Sequence, residues 1–219
     1  MAVPTLVSFP IVCDGYPDLI FDLAGADDVQ QLTEFIMKEF FHRFPLKDNW
    51  DVEKELRPWM GQYIGHMCSK GVSIILRDTT NNNRIAAAAI NDIDYKNRAE
   101  DDISLVSFTN PIERPGWQNV CDLLEILHEG MNLDDDPDYV KRGLSTQCAK
   151  LTVMLAKSKG LQSIKVEAVS EFMARVLAKI GFQMIKEIDY NCLEINGEIP
   201  FATEDIHRYA RLYILKIAD

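Results

Sequence analysis

ARVLAKIGFQMIKEIDY, residues 174–190, changes its period half-way along. The first part reads as a short helix that glycine ends at Gly181, and QMIKEIDYNCLEI then continues as a strand. Working outward from this hinge, LQSIKVEAVS (Leu161–Ser170) alternates as a strand, and the helix before it runs from Ala149 to Lys159 until Gly160. ARLYILKIAD (Ala210–Asp219) supplies a last strand. Further upstream, DYVKRGLSTQCAKL (Asp138–Leu151) reads as a turn that opens a helix, with one glycine, Gly143.

The N-terminal half gives the same mixture. LIFDLAG (Leu19–Gly25) is a strand broken by glycine, and ADDVQQLTEFIMKEFFHR follows with Val29, Leu32, Phe35, Ile36 and Phe40 at helical spacing until Pro45. NWDVEKELRPWMGQYIGHMCSKG offers a second amphipathic helix, with Asn49 as its cap, Gly71 near its end and Pro58 placed to kink it. VSIILRD and RIAAAAINDIDY flank TTNNN, a hairpin with a polar tip, and the alanines of the second strand predict close packing on one face. A charged, proline-punctuated loop follows, then a helix striped by Val120, Leu123, Leu124 and Leu127. The order β-α-α-β-β-α-α-β-α-β-β predicts an α/β fold, a mixed sheet flanked by helices on both faces, in one domain spanning residues 1–219. A chain of 219 residues, 47% of them hydrophobic, suffices for one sizeable core.

A formal net charge of −11 argues against nucleic acid or an anionic membrane surface as partner, because both require a basic footprint. The five cysteines form no CxxC pair and the chain holds no Asn-x-Ser/Thr acceptor, which reads as a reduced cytoplasmic protein. Met1 is followed by Ala-Val-Pro-Thr rather than a basic and then apolar leader, and no apolar run reaches bilayer length. A monomer without a membrane or nucleic-acid partner is expected.

Two segments resemble the GCN5-related N-acetyltransferases, and most closely the insect arylalkylamine N-acetyltransferases. ARVLAKIGFQMIKEIDY is similar to that family's helix-then-strand ending, and FFHRFPL (Phe40–Leu46) to the aromatic helix end before Pro-Leu in the insect branch. The resemblance implies acetyl-CoA as co-substrate and direct attack of a small amine on its thioester in a ternary complex. It also implies a pyrophosphate turn, Arg/Gln-x-x-Gly-x-Gly/Ala, which falls on Val140 to Ser145. Lys141, Arg142, Gly143, Leu144, Ser145 and Thr146 are therefore the expected cofactor-binding residues. The physical basis is general: first-turn amides lack intrahelical partners, and the helix dipole adds positive potential. Val140 and Ser145 depart from the pattern.

The general base departs further. The insect branch places a glutamate immediately before Pro-Leu, where this chain has Phe44, and the serines of its late helix fall on Val169 and Met173. Ser170 remains nearby and reads as a helix cap. Substitutes for the base are His42, which reads first as an exposed histidine at a helix end, and Glu39, three residues before it. Glu167 serves only if its side chain points inward, whereas the residue type by itself reads as a surface carboxylate. His66, His128 and His207 lack metal-ligand spacing, and DDDPD (Asp134–Asp138) lacks the spacing of a calcium loop, so no metal is expected. Phe40, Phe41, Phe44, Trp50 and Trp59 read as core, or in part as the wall of an apolar amine pocket. Two functional classes follow: an active N-acyltransferase with an altered base, or a catalytically silent module that binds CoA or a partner without turnover.

Overall fold

The computed structural model describes residues 7–41, 44, 46, 50–93, 113–128, 146–203 and 206–217. β1 (Ile11–Cys13), β2 (Tyr16–Leu23), β3 (Ile74–Asp78) and β4 (Arg84–Ala89) form one sheet in that order. β5 (Ser163–Ala168), β6 (Gln183–Asp189) and β7 (Tyr209–Lys216) form a second, in the order β5-β7-β6. Every strand pair among the described residues is antiparallel. β1 escapes a reading by period because three residues show none.

Helices cover both faces of these sheets. On one face α1 (Val29–Phe35), α2 (Val52–Ser69) and α3 (Pro115–His128) share a core with Ile75, Ile85 and Ala88 of the first sheet and Ala210 and Leu212 of the second. On the other, α4 (Thr146–Ser158) lays Cys148, Leu151 and Leu155 on Ile74, Leu76, Ala87 and Ala89. There α5 (Glu171–Lys179) lays Ala174 and Leu177 on Ile164, Val166 and Ala168. The β4 alanines are thus squeezed from both faces rather than the one expected, with Ala88 towards the first layer of helices and Ala87 and Ala89 towards the second.

Local chemistry explains most element ends and corrects one of them. Asp51, not Asn49, caps α2: its Oδ1 accepts the Lys54 N–H at 3.1 Å. α2 then runs unbroken through Pro58, which removes one helical donor without ending the helix. Pro115 occupies the first position of α3, where a missing N–H costs nothing. α5 ends where Gly181 takes φ +99°, a conformation in which a side chain would clash with its own backbone.

Two irregularities were not readable from the period. Beyond Phe35 the helical ladder opens into a π turn, Ile36–Phe40, where regular helix was expected. Across the β3–β4 hairpin Leu76 faces Ala87 but Arg77 faces Ile85, so Ala86 is the extra residue of a bulge.

Candidate active site

The chemistry-bearing residues gather at three places. The first is the start of α4. Its position is fixed by the buried face Cys148, Leu151 and Leu155 and by a link to β1, where the Cys13 thiol donates to Gln147 Oε1 at 3.0 Å. Burial, with the charge of Asp14 behind it, pushes that thiol's pKa up and keeps it a donor. The described part of α4 starts at Thr146. Of the six expected cofactor-binding residues Thr146 is described, whereas Lys141, Arg142, Gly143, Leu144 and Ser145 lie outside the described residues.

The second place is the end of α1. Phe44, in the position where the resemblance puts a base, is 1% exposed and packs edge-on against Phe41 with ring centroids 5.7 Å apart. Phe41 in turn meets Trp117 of α3, which also packs on Trp50 and Trp59. The core reading therefore holds for Phe41, Phe44 and Trp59, while Phe40 and Trp50 are partly buried against that core. Phe40 also has a second neighbourhood. The π turn brings Glu39 and Phe40, together with Phe35, over the bulged hairpin, and a cavity of about 450 Å³ opens between them. Asp78, Asn81, Arg84, Ile85 and Ala86 complete its wall. Arg84 reaches Glu39 at 4.0 Å and stands directly opposite Asp78 across the hairpin. His42 lies outside the described residues.

The third place is the C-terminal end of β5. The whole strand is buried, which corrects the reading of Glu167 as a surface carboxylate: it is 4% exposed, as is Lys165. The alternation in the sequence is real but does not alternate between core and water. Ile164, Val166 and Ala168 meet α4 and α5, while Ser163, Lys165 and Glu167 occupy the opposite face, itself enclosed. Glu167 stands opposite Leu212 of β7, and Leu212 belongs to the same core as Phe44 and Val169. Ser170 caps α5 as expected, accepting the Met173 N–H at 3.3 Å. His207 Nδ1 accepts the Glu171 N–H at 3.2 Å, a second cap on the same helix start. The hydroxyl of Tyr190 donates to the Val169 carbonyl at 3.0 Å and fixes the corner before Ser170.

The fold thus brings Phe44, Val169 and the Glu167 end of β5 to one layer, whereas the start of α4 lies on the other face of the sheets. Sequence reasoning missed Asp78 and Arg84. The turn TTNNN and the arginine after it were visible, but the helical irregularity that sets Glu39 above them was not. Among the described residues no group of three or more His, Cys, Asp or Glu side chains suits a metal ion, and no helix is long and apolar enough to cross a membrane.

Comparison with solved structures finds this architecture. Arylalkylamine N-acetyltransferase 2 from Aedes aegypti superposes with a TM-score of 0.74 at 22% identity, over 91% of this chain and 99% of that one. The fold is that of the GCN5-related N-acetyltransferases. An agmatine N-acetyltransferase superposes with a TM-score of 0.73 at 16% identity, over 91% of this chain and 99% of its own. A Drosophila melanogaster polyamine N-acetyltransferase gives 0.72 at 15% identity, over 91% of this chain and 100% of its own. No protein-family model and no curated protein matches the sequence.

Proposed function

We propose that the protein transfers an acetyl group from acetyl-CoA to a small, arylalkylamine-like amine by direct attack in a ternary complex. The observation that carries this reading is a shared architecture over nine-tenths of the chain with acetyltransferases of amines. In the proposed site, backbone amides from Gly143 to Thr146 hold the pyrophosphate, with Lys141 and Arg142 adding positive charge. The five free thiols, four of them buried, suit a reducing cytoplasm, and the chain acts as one domain and as a monomer.

The chemistry needs a neutral amine. Its nitrogen adds to the thioester carbonyl carbon, the C–S bond breaks, CoA leaves as the thiolate, and the nitrogen sheds its proton. Glu167 is the carboxylate we assign to receive that proton through water. It shares a layer with Phe44, where the insect branch carries its glutamate, so the proton acceptor moves from the end of α1 to the facing strand.

Burial of Phe44 in an aromatic block favours a second reading, a module that keeps the fold and binds CoA without turnover. One pair of measurements separates the two. Melting temperature with millimolar acetyl-CoA should rise, since a ligand of the folded state stabilises it, and the rise should vanish in Gly143→Val. Thiol release with a panel of amines should then exceed the amine-free rate. A shift without thiol release leaves the silent module; no shift overturns both readings.

A further inference from the structure

The connection from β6 to β7 carries a reactive junction at Asn196–Gly197, the one Asn-Gly pair in the sequence. Asn196 takes φ +54° and Gly197 φ +83°, and the two form the turn of a short hairpin. The Ile195 N–H donates to the Glu198 carbonyl at 2.8 Å, and the Glu198 N–H returns to the Ile195 carbonyl at 3.1 Å. The tip itself faces water: Asn196, Gly197 and Glu198 are exposed, and a Cβ built on Gly197 would meet nothing within 4 Å.

An asparagine side-chain amide lies one five-membered ring away from the next backbone nitrogen, so attack needs only a free nitrogen and an open approach. Both are met here. Among the described residues nothing accepts the Gly197 N–H or bonds the Asn196 side chain, and glycine offers no Cβ to hinder the approach. Other asparagines are protected. The Arg84 N–H after Asn83 is given to the Asn81 carbonyl at 2.9 Å, and the Cys192 N–H after Asn191 to the Asp189 carbonyl at 3.0 Å. Asn191 also commits its amide to both backbone groups of Thr203. Asp14–Gly15 has its glycine at φ +78°, but a carboxylate repels an attacking amide anion.

We propose that Asn196 is a site of spontaneous modification, at which the folded protein converts to aspartate and isoaspartate through a succinimide. Hydroxide removes the Gly197 amide proton, the nitrogen bonds to Asn196 Cγ, and the Cγ–Nδ2 bond breaks as ammonia leaves with a proton from water. Water then opens the ring. Attack at Cγ gives aspartate in an ordinary chain, whereas attack at the main-chain carbonyl carbon gives isoaspartate, whose chain runs through Cβ and Cγ. The net change consumes water, releases ammonia and involves no oxidant.

The two products differ physically. Aspartate adopts positive φ as asparagine does and keeps the turn. Isoaspartate adds a methylene to the backbone between Ile195 and Glu198 and parts their hydrogen bonds. Those bonds seat Leu193 and Ile195, each 7% exposed, in the core that holds Tyr190 and Phe201. No residue assigned to acetyl transfer takes part.

The test incubates the full-length protein at pH 8, digests samples in acid and follows peptide masses and released ammonia. The mass gain of NH2 replaced by OH is expected at Asn196 at least about tenfold faster than at Asn83 or Asn191, where a hydrogen bond holds the attacking nitrogen. Its rate should rise in proportion to hydroxide. After separation by anion exchange the isoaspartate form should melt below the parent, whereas the aspartate form and Asn196→Asp should melt with it. Conversion at Asn196 no faster than at Asn83 and Asn191 overturns the reactive junction. An isoaspartate form that melts with the parent overturns its effect on the fold.

Discussion

Glu55 and Glu167 are buried almost equally, 6% and 4% exposed, yet they belong to different kinds of place. Glu55 lies on α2 and reaches across to the start of α3, where its carboxylate accepts the Trp117 N–H at 2.9 Å and the Gly116 N–H at 3.4 Å. A negative group at a helix N-terminus satisfies orphan donors and suits the dipole, so this burial is a matter of architecture. Glu167 lies on a strand face beside Lys165, at the end of β5 that shares a layer with Phe44. Burial alone therefore says little about whether a carboxylate is for holding or for reacting. What it faces decides.

The sharpest way to break the comparison is Glu167→Gln, which keeps the shape and removes the proton acceptor. We expect kcat for amine acetylation to fall by roughly 10²–10⁴-fold, the range of general-base losses, with KM for acetyl-CoA unchanged. Glu39→Gln should cost far less. Equal losses in the two variants, measured by thiol release, would return the base to the end of α1.

Glu55→Ala should do the reverse, leaving turnover in the surviving folded protein and lowering stability by about 2 kcal/mol through two unanswered N–H groups and a lost cap. Gly116→Ala tests the same junction from the other side: a Cβ there would overlap the Trp50 side chain, and about 1–3 kcal/mol of overpacking cost is expected. Urea midpoints read both. A stable Glu55→Ala protein with lost activity would mean that Glu55, too, belongs to the site.

How much of this was legible beforehand follows from the physics of each element. Gly181 ends α5 and Gly160 follows α4, as read, because a left-handed residue is a local requirement that leaves a local trace. Ser170 was readable as a cap for the same reason. The burial of Glu167 was not readable, since Lys165 and Glu167 look like the wet face of a strand until helices are known to cover both faces. The cavity at Glu39 was hidden for another reason: one extra residue in a helical turn and one in a hairpin change no composition or period that the sequence displays.

A third carboxylate extends the comparison towards the surface. Glu171, at the first turn of α5, is held below the usual glutamate pKa by hydrogen bonds from Arg211 first and Arg175 second. A depressed folded-state value contributes stability that is present above the ordinary value near 4.5 and lost as pH falls through the folded one. Arg211→Met should therefore lower the melting temperature at pH 7, and the gap from the parent should narrow on acidification below pH about 4.5. A gap that stays constant would mean that Arg211 acts through packing rather than through its carboxylate partners, Glu171 and Glu187.

The smallest effect is a local one, and the thiols report it. Cys192 is exposed, whereas Cys13, Cys68, Cys121 and Cys148 are buried, and burial with the nearby charge of Asp28 pushes the Cys68 thiol up to about 11. At pH 8 an aromatic disulfide reagent should label one thiol promptly in the parent and in Glu167→Gln, because that substitution opens no helix. Cys121 lies on α3, four residues beyond Trp117, so release of the Glu55 cap should let the first turns of that helix open and expose a second thiol at a measurable rate. Faster labelling in Glu55→Ala alone confirms that one buried carboxylate holds the helix and the other does not. Faster labelling in both would make Glu167 a structural residue and leave the proposed transfer without its base.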